Sequence, residues 1–190
     1  MASVLVLTGS PSRVSKTAAL ARHLADDLVL EGHDVRVVDL RTLPAAPLLA
    51  ADTSDPAIRA VVEAVISADG VVVATPIYKA AYSGLLKVFL DLLPQRALAG
   101  KAVLPVATGG TLAHVLAIDY ALRPVLVSLG AQHVTTGRFI LDQHVDPNAD
   151  GHVVVDEETR TCLARTAESF RFALRAAAAD LDPVELSAGV

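Results

Sequence analysis

The sequence predicts an α/β fold: a parallel sheet wound with helices on both faces. Two observations lead there. Short apolar runs rich in β-branched residues recur at 4–7, 35–38, 71–74, 103–106 and 134–140. The stretches between them carry apolar residues at helical spacing, so strands and helices alternate along the chain. The second, third and fourth runs have few polar interruptions, as strands buried on both faces require. All this fits within 190 residues, 53% of them apolar, enough for a substantial core and for one domain spanning 1–190.

The first run stops at Gly9, and TGSPSRVSKT continues into a helix over 15–31 marked by Leu20, Leu24 and Leu28. Strand, loop and helix N-terminus in that order make a seat for an anion, because free N–H groups and the positive end of the helix dipole face the loop. Ser10, Ser12, Ser15 and Thr17 can each donate to a phosphate oxygen, and Arg13 and Lys16 add charge. Capping explains one of these hydroxyls, Ser15, but not the others beside two cations. The Lys16-Thr17 pair looks like the end of a Walker A loop. However, Ser10 and Ser15 stand where its glycines belong, and the third run ends in Ala74-Thr75-Pro76 without an obvious aspartate for magnesium. The dinucleotide fingerprint G-x-G-x-x-G is absent. A dianionic monophosphate suits the donor set.

After the run at 35–38, Ile58, Val61, Val62, Val65 and Ile66 mark a helix over 55–68. The run at 71–74 is expected to end at Pro76, which stiffens the turn ATPIYKAAYSG. The backbone of Ile77, Tyr78 and Lys79 would then face a cleft and offer N–H groups to the polar edge of a heterocycle. The alternative is that Tyr78 and Tyr82 are ordinary part-buried surface aromatics. Ser83-Gly84 opens a helix over 83–93. The run at 103–106 leads into ATGGTLAH, where Gly109-Gly110 admits a flat ligand and Thr111 caps the next helix. His114, in that helix's first turn, either touches a substrate or is solvated. Ligands of open parallel sheets bind beyond the carboxyl ends of the strands, where strand order reverses. The loops after the first, third and fourth runs are therefore the candidates.

The helix over 111–129 contains a fault. Pro124 cannot donate to the carbonyl of Tyr120, four residues back, and its ring clashes with that carbonyl. The helix must kink or widen near Tyr120, and a π-bulge is one solution. The run at 134–140 gives the last strand. The loop at 141–155 is the least regular segment, with a turn at Asp146-Pro147-Asn148. A final amphipathic helix covers 156–178, and the tail DLDPVELSAGV frays or meets a neighbouring subunit.

The net charge of −5 and the lack of a basic cluster argue against nucleic-acid binding. The single cysteine, Cys162, rules out an internal disulfide and a cysteine-cluster metal site, and reads as a small half-buried side chain. The other histidines, His23, His33, His133, His144 and His152, lack metal-ligand spacing, so no metal is expected. No serine or cysteine sits in a nucleophile elbow. The start MASVLVLTGS is too short and uncharged for a signal peptide, and no apolar run reaches the ~18 residues of a membrane span. A cytoplasmic protein without membrane or nucleic-acid partners is expected.

The stretches GSPSRVS, ATPIYKAAYSGLLKVFLDLLP and LAGKAVLPVATGGTLAHVLAIDYALRPVL resemble the NADPH-dependent FMN reductases, and among them the reductase component of two-component alkanesulfonate monooxygenases. The resemblance runs from residue 4 to about residue 140 and is densest over 70–130. It implies a flavodoxin-like three-layer sandwich on a five-stranded parallel sheet. It implies FMN reduced by NADPH, or by NADH, and passed on reduced to an FMNH2-dependent monooxygenase that desulfonates organosulfonates. It implies that Ser10, Arg13, Ser15, Lys16 and Thr17 hold the phosphate. Pro76, Ile77, Tyr78 and Lys79 would line the isoalloxazine ring, with Thr108, Gly109, Gly110 and Thr111 on its other side. None of these need act as acid, base or nucleophile, since hydride chemistry belongs to the flavin. The first loop departs slightly: Ser12 stands where an arginine is expected, with Arg13 beside it. Related alkanesulfonate reductases carry a tyrosine insertion at a π-helix in a tetramer interface near the flavin. Tyr120 resembles that residue, so a homotetramer is implied, with Tyr120 and His114 as candidate modulators. Three other readings stay open. One is an electron carrier that keeps its FMN, against which the modest charge speaks. The second is a tight-binding FMN enzyme that reduces quinones, azo dyes or metal oxyanions, and the third is a non-enzymatic flavin-binding module.

Overall fold

The computed structural model describes residues 1–147 and 153–181. Its sheet is built from β1 (Ser3–Thr8), β2 (Asp34–Asp39), β3 (Gly70–Tyr78), β5 (Ala102–Gly109), β6 (His133–Val134) and β7 (Arg138–Leu141), with β4 (Ala81–Tyr82) folded back on β3. The strand order is β2-β1-β3-β5-β6, and β7 continues the last position, so five positions run parallel. The chain steps outward from β1 to β2 and then crosses back to β3. Strand order therefore reverses at β1/β3, where such sheets open a crevice.

Period-two alternation sorts the core into layers. Leu5, Leu7, Val71, Val73 and Val103 face α3 (Pro56–Ser67), α4 (Gly84–Leu90) and α5 (Arg123–Ser128). Val4, Val6, Val72, Leu104 and Val106 face α1 (Lys16–Leu30) and α6 (Glu157–Leu181). The result is the expected flavodoxin-like three-layer sandwich. Asp55 caps α3 through the N–H groups of Ala57 and Ile58, with Pro56 in its first turn. The fifth expected apolar position of that helix, Ile66, faces solvent. Cys162 is half-buried on α6 against the second layer.

Several details differ from the sequence expectation. The run at 35–38 is an edge strand, and of β2 only Val38 is buried. Pro76 does not end its strand: β3 runs on to Tyr78. β1 pairs with β3 only as far as Thr8 opposite Ala74, whereas Pro76 still pairs with Thr108 of β5. Past that point β3 has a neighbour on one side only, where a proline without an N–H is tolerated. A short α2 (Ala45–Leu49) was not signalled by any apolar periodicity. The irregular stretch after β7 holds a 3-10 turn (Asp142–His144) and an antiparallel ribbon, β8 (Val145–Pro147) with β9 (Val153–Val155). Of the expected turn there, Asn148 lies outside the described residues, as does the tail from 182.

The helix expected over 111–129 is broken in three: a 3-10 turn (Leu112–His114), a π-turn (Ile118–Leu122) and α5. The fault falls where Pro124 requires it. The Arg123 N–H donates five residues back, to the Ile118 carbonyl, and Tyr120 sits in the middle of the widened turn, 78% exposed. The last strand is also interrupted, between Val134 and Arg138, and the two faults fit each other. The Arg123 guanidinium donates to the carbonyls of Val134 (3.3 Å) and Thr135 (2.9 Å) in the gap and pairs with Asp119 at 3.0 Å. Ile118 packs so closely on Gly137 that a Cβ there would lie 2.4 Å from its Cγ2.

Candidate functional site

The loop after β1 is fixed at its root. The Gly9 N–H donates to the Ala74 carbonyl at 2.8 Å. A Cβ on Gly9 would lie 2.7 Å from the Leu86 Cβ, so only glycine lets the loop lie against α4. Ser83 caps α4 by accepting from the Leu86 N–H at 3.1 Å, and its own hydroxyl donates to the Gly9 carbonyl at 2.5 Å. One serine therefore starts a helix and pins the loop.

Beyond Gly9 the hydroxyls divide by duty. Ser10 is buried, and its Oγ accepts from the Ser12 N–H at 3.4 Å. The Ser12 hydroxyl donates to the Val14 carbonyl at 2.6 Å. Ser15 caps α1, its Oγ accepting from the Ala18 N–H at 3.0 Å. Thr17 is buried and shares a 2.6 Å hydrogen bond with Thr108, tying the loop to the end of β5. Ser10 and Ser15 accept in these bonds and so keep their hydroxyl hydrogens to give. Lys16 reaches across the cleft, its Nζ donating to the main-chain carbonyl of Asp142 at 2.5 Å.

These groups line a cleft of about 240 Å³ at the carboxyl ends of the strands. One wall is Ser10, Ser12, Val14, Ser15, Lys16 and Thr17. Pro76, Ile77 and Tyr78 line another, and Thr108, Gly109 and Asp142 complete it. Arg13, Lys79, Gly110 and Thr111 do not line it, and all four are exposed. Thr111 caps the 3-10 turn that carries half-buried His114, accepting from the Ala113 N–H. Lys79 and Ala80 form the tip joining β3 to β4, with φ of 51° and 63°. Two successive left-handed residues at a two-residue hairpin favour Asn-Gly, so Lys-Ala is strained at the mouth of the cleft.

Val14 and Asp142 were not foreseen. Asp142 lies just past β7, and the rule that ligands gather at strand carboxyl ends applies to that loop as well. Larger grooves occur on the surface, one of about 640 Å³ between α1 and α6, but it lies along the helices, away from the strand ends. Among the described residues no three His, Cys, Asp or Glu side chains converge as metal ligands, and no helix is long and apolar enough to cross a membrane.

Hydroxyl donors, one ammonium and a helix N-terminus suit a phosphate monoester, and the apolar wall at Ile77 and Tyr78 suits a flat ring beside it. With this strand order, such a crevice defines a flavodoxin-like, FMN-binding protein. The family described as NADPH-dependent FMN reductase matches residues 2–146. The FMN reductase (NADPH) of Escherichia coli K12 is 49% identical over 144 residues, covering 75% of this chain and 74% of its own. The NADH-dependent FMN reductase SfnF of Pseudomonas putida is 33% identical, covering 74% and 80%. The apo crystal structure of the NADH:FMN oxidoreductase EMOB superposes with a TM-score of 0.83 at 43% identity, covering 90% of this chain and 89% of that one. The chain belongs to the NADPH-dependent FMN reductase family, whose reaction is the reduction of FMN by a reduced nicotinamide.

Proposed function

We propose that the chain treats FMN as an exchangeable substrate and supplies it, reduced, to a partner monooxygenase that desulfonates organosulfonates. The observation that carries this reading is the cleft: a donor-rich seat for a phosphate on one wall and an open side where the ring would lie. Tyr78 is half-exposed and the Lys79 tip is solvated, so one chain alone encloses little of a flavin.

In this reading Ser10, Ser15, Lys16 and the α1 N-terminus hold the phosphate. Thr17, hydrogen-bonded to Thr108, shapes the floor instead of donating. The backbone of Pro76 to Tyr78 flanks the ring on one side, and Thr108 with Gly109 on the other. The bound flavin would supply the hydride chemistry, accepting from NADPH or NADH. The chain's own groups bind, orient and exclude water, and none moves a proton. The stretch from the 3-10 turn through the π-turn exposes Leu112, Leu116 and Tyr120, an apolar face we assign to contact between copies in a cytoplasmic homotetramer of single-domain chains.

The test is NADPH and NADH oxidation with FMN, FAD and riboflavin in turn, followed by sulfite release when an alkanesulfonate monooxygenase is added. Turnover with free FMN and sulfite release support the reading. A yellow protein that reduces quinones or azo dyes but gives no sulfite would replace it with the tight-binding alternative.

A further inference from the structure

The 3-10 turn after β7 places Asp142 on the wall of the cleft that faces α1. Two features of this residue bear on an anion. Its main-chain carbonyl already engages the Lys16 ammonium, across 126 residues of sequence. Its carboxylate has no part in that contact. Among the described residues it accepts no hydrogen bond and has no basic group within ion-pairing distance. Its Oδ2 lies over Gly110, 3.9 Å from where a Cβ on that glycine would stand. The turn is held from behind, since the His144 ring hydrogen-bonds both Asp156 and the Gln143 amide. Asp142 is therefore a half-buried residue of the cleft wall whose carbonyl holds Lys16 and whose carboxylate, among the described residues, is left without a partner.

We propose that Asp142 sets how loosely the flavin phosphate is held: its carboxylate opposes the phosphate charge, and its carbonyl competes for Lys16. This rests on the loop after β1 being the phosphate seat. Like charges within one partly screened cleft repel appreciably, whereas the uncharged remainder of the flavin feels neither effect. Affinity for FMN is thereby lowered selectively, as suits a flavin that must leave once reduced.

Asp142→Asn removes the charge and keeps the carbonyl contact. Fluorescence titration of the whole chain with FMN and with riboflavin, at low and high salt, reads the effect. The variant should bind FMN about tenfold more tightly at low salt, with riboflavin within about twofold, and the gain should shrink at high salt. An unchanged FMN constant overturns the proposal. So does an equal weakening of both flavins, which would make Asp142 an acceptor for the polyol they share. Equal affinity of the wild-type chain for FMN and riboflavin is a separate failure, because it removes the phosphate seat itself and this proposal with it.

Discussion

Lys16 and Ser15 are neighbours with different obligations. Ser15 is a helix cap first, so Ser15→Ala would cost about 1 kcal/mol of stability whatever it does to a ligand. Among the described residues the Lys16 ammonium contacts only the Asp142 carbonyl, which makes it the cleaner probe. A charge-assisted hydrogen bond is worth about 1.5–3 kcal/mol. Lys16→Ala should therefore raise the apparent constant for FMN in NADPH oxidation by roughly 10- to 100-fold, while that for riboflavin stays within about twofold. Equal losses for the two flavins would move the phosphate elsewhere. The sequence displayed these hydroxyls and cations in one short loop, but spacing does not reveal which are spent locally. Ser12 is consumed by Val14 and Thr17 by Thr108, and Arg13 stands outside the cleft. Asp142 was missed for another reason: it joins the site through the end of a different strand, to which the strand-end rule was not applied.

Among the elements, the β3–β4 hairpin carries strain at the mouth of the cleft, at Lys79 and Ala80. A non-glycine residue in the left-handed region costs about 1–2 kcal/mol, part of which glycine returns as extra freedom in the unfolded chain. Ala80→Gly should thus stabilise the fold by about 0.5–1 kcal/mol, seen as a melting temperature raised by roughly 1–4 °C. A lower melting temperature would show that the tip is held in place by contacts and not strained. A fault near Tyr120 was legible because Pro124 forbids the ordinary hydrogen bond, a constraint that holds in any tertiary setting, whereas its π form rested on the family resemblance. The interruption of the last strand was missed, although Gly137 inside VTTGRFI is the kind of residue that marks a break or a close backbone approach. Deleting Tyr120 should let the turn revert to α-helix and rotate one flank by ~100°. The variant is expected to fold with a melting temperature a few degrees lower, to retain FMN on purification, to change its oligomeric size and to lose transfer of reduced flavin. A colourless variant of unchanged size and full turnover would make the bulge a packing accident. Tyr120→Ala, which keeps the insertion, should do less.

At the scale of the molecule, the layered parallel sheet followed from alternating apolar runs, because each run is long enough to be a strand and each gap long enough for a crossover helix. The order of the strands is not contained in that alternation and came only with the flavodoxin-like resemblance. The way the last helix is fastened followed from neither. Asp156, just before α6, bonds to the Thr159 N–H at 2.8 Å and to His144 across the β8–β9 ribbon. Hydrogen bonds from Thr159, and then from His144, lower its carboxyl from the ordinary 3.8 to about 2. A depressed carboxyl stabilises the fold fully above its unfolded value, and the contribution is lost as pH falls through the folded one. The wild-type chain should therefore lose stability between about pH 4 and pH 2 more steeply than Asp156→Asn. Urea midpoints at pH 5, 3 and 2 check this, and parallel curves would remove Asp156 from the acid transition. The fit between the π-turn and the broken strand has a consequence of another kind. Ile118 seated on Gly137 and Arg123 on the carbonyls of Val134 and Thr135 make the widened turn and the gap in the strand a single packing unit. A chimaera that transplants 118–124 without 134–138 would therefore receive a key without its lock.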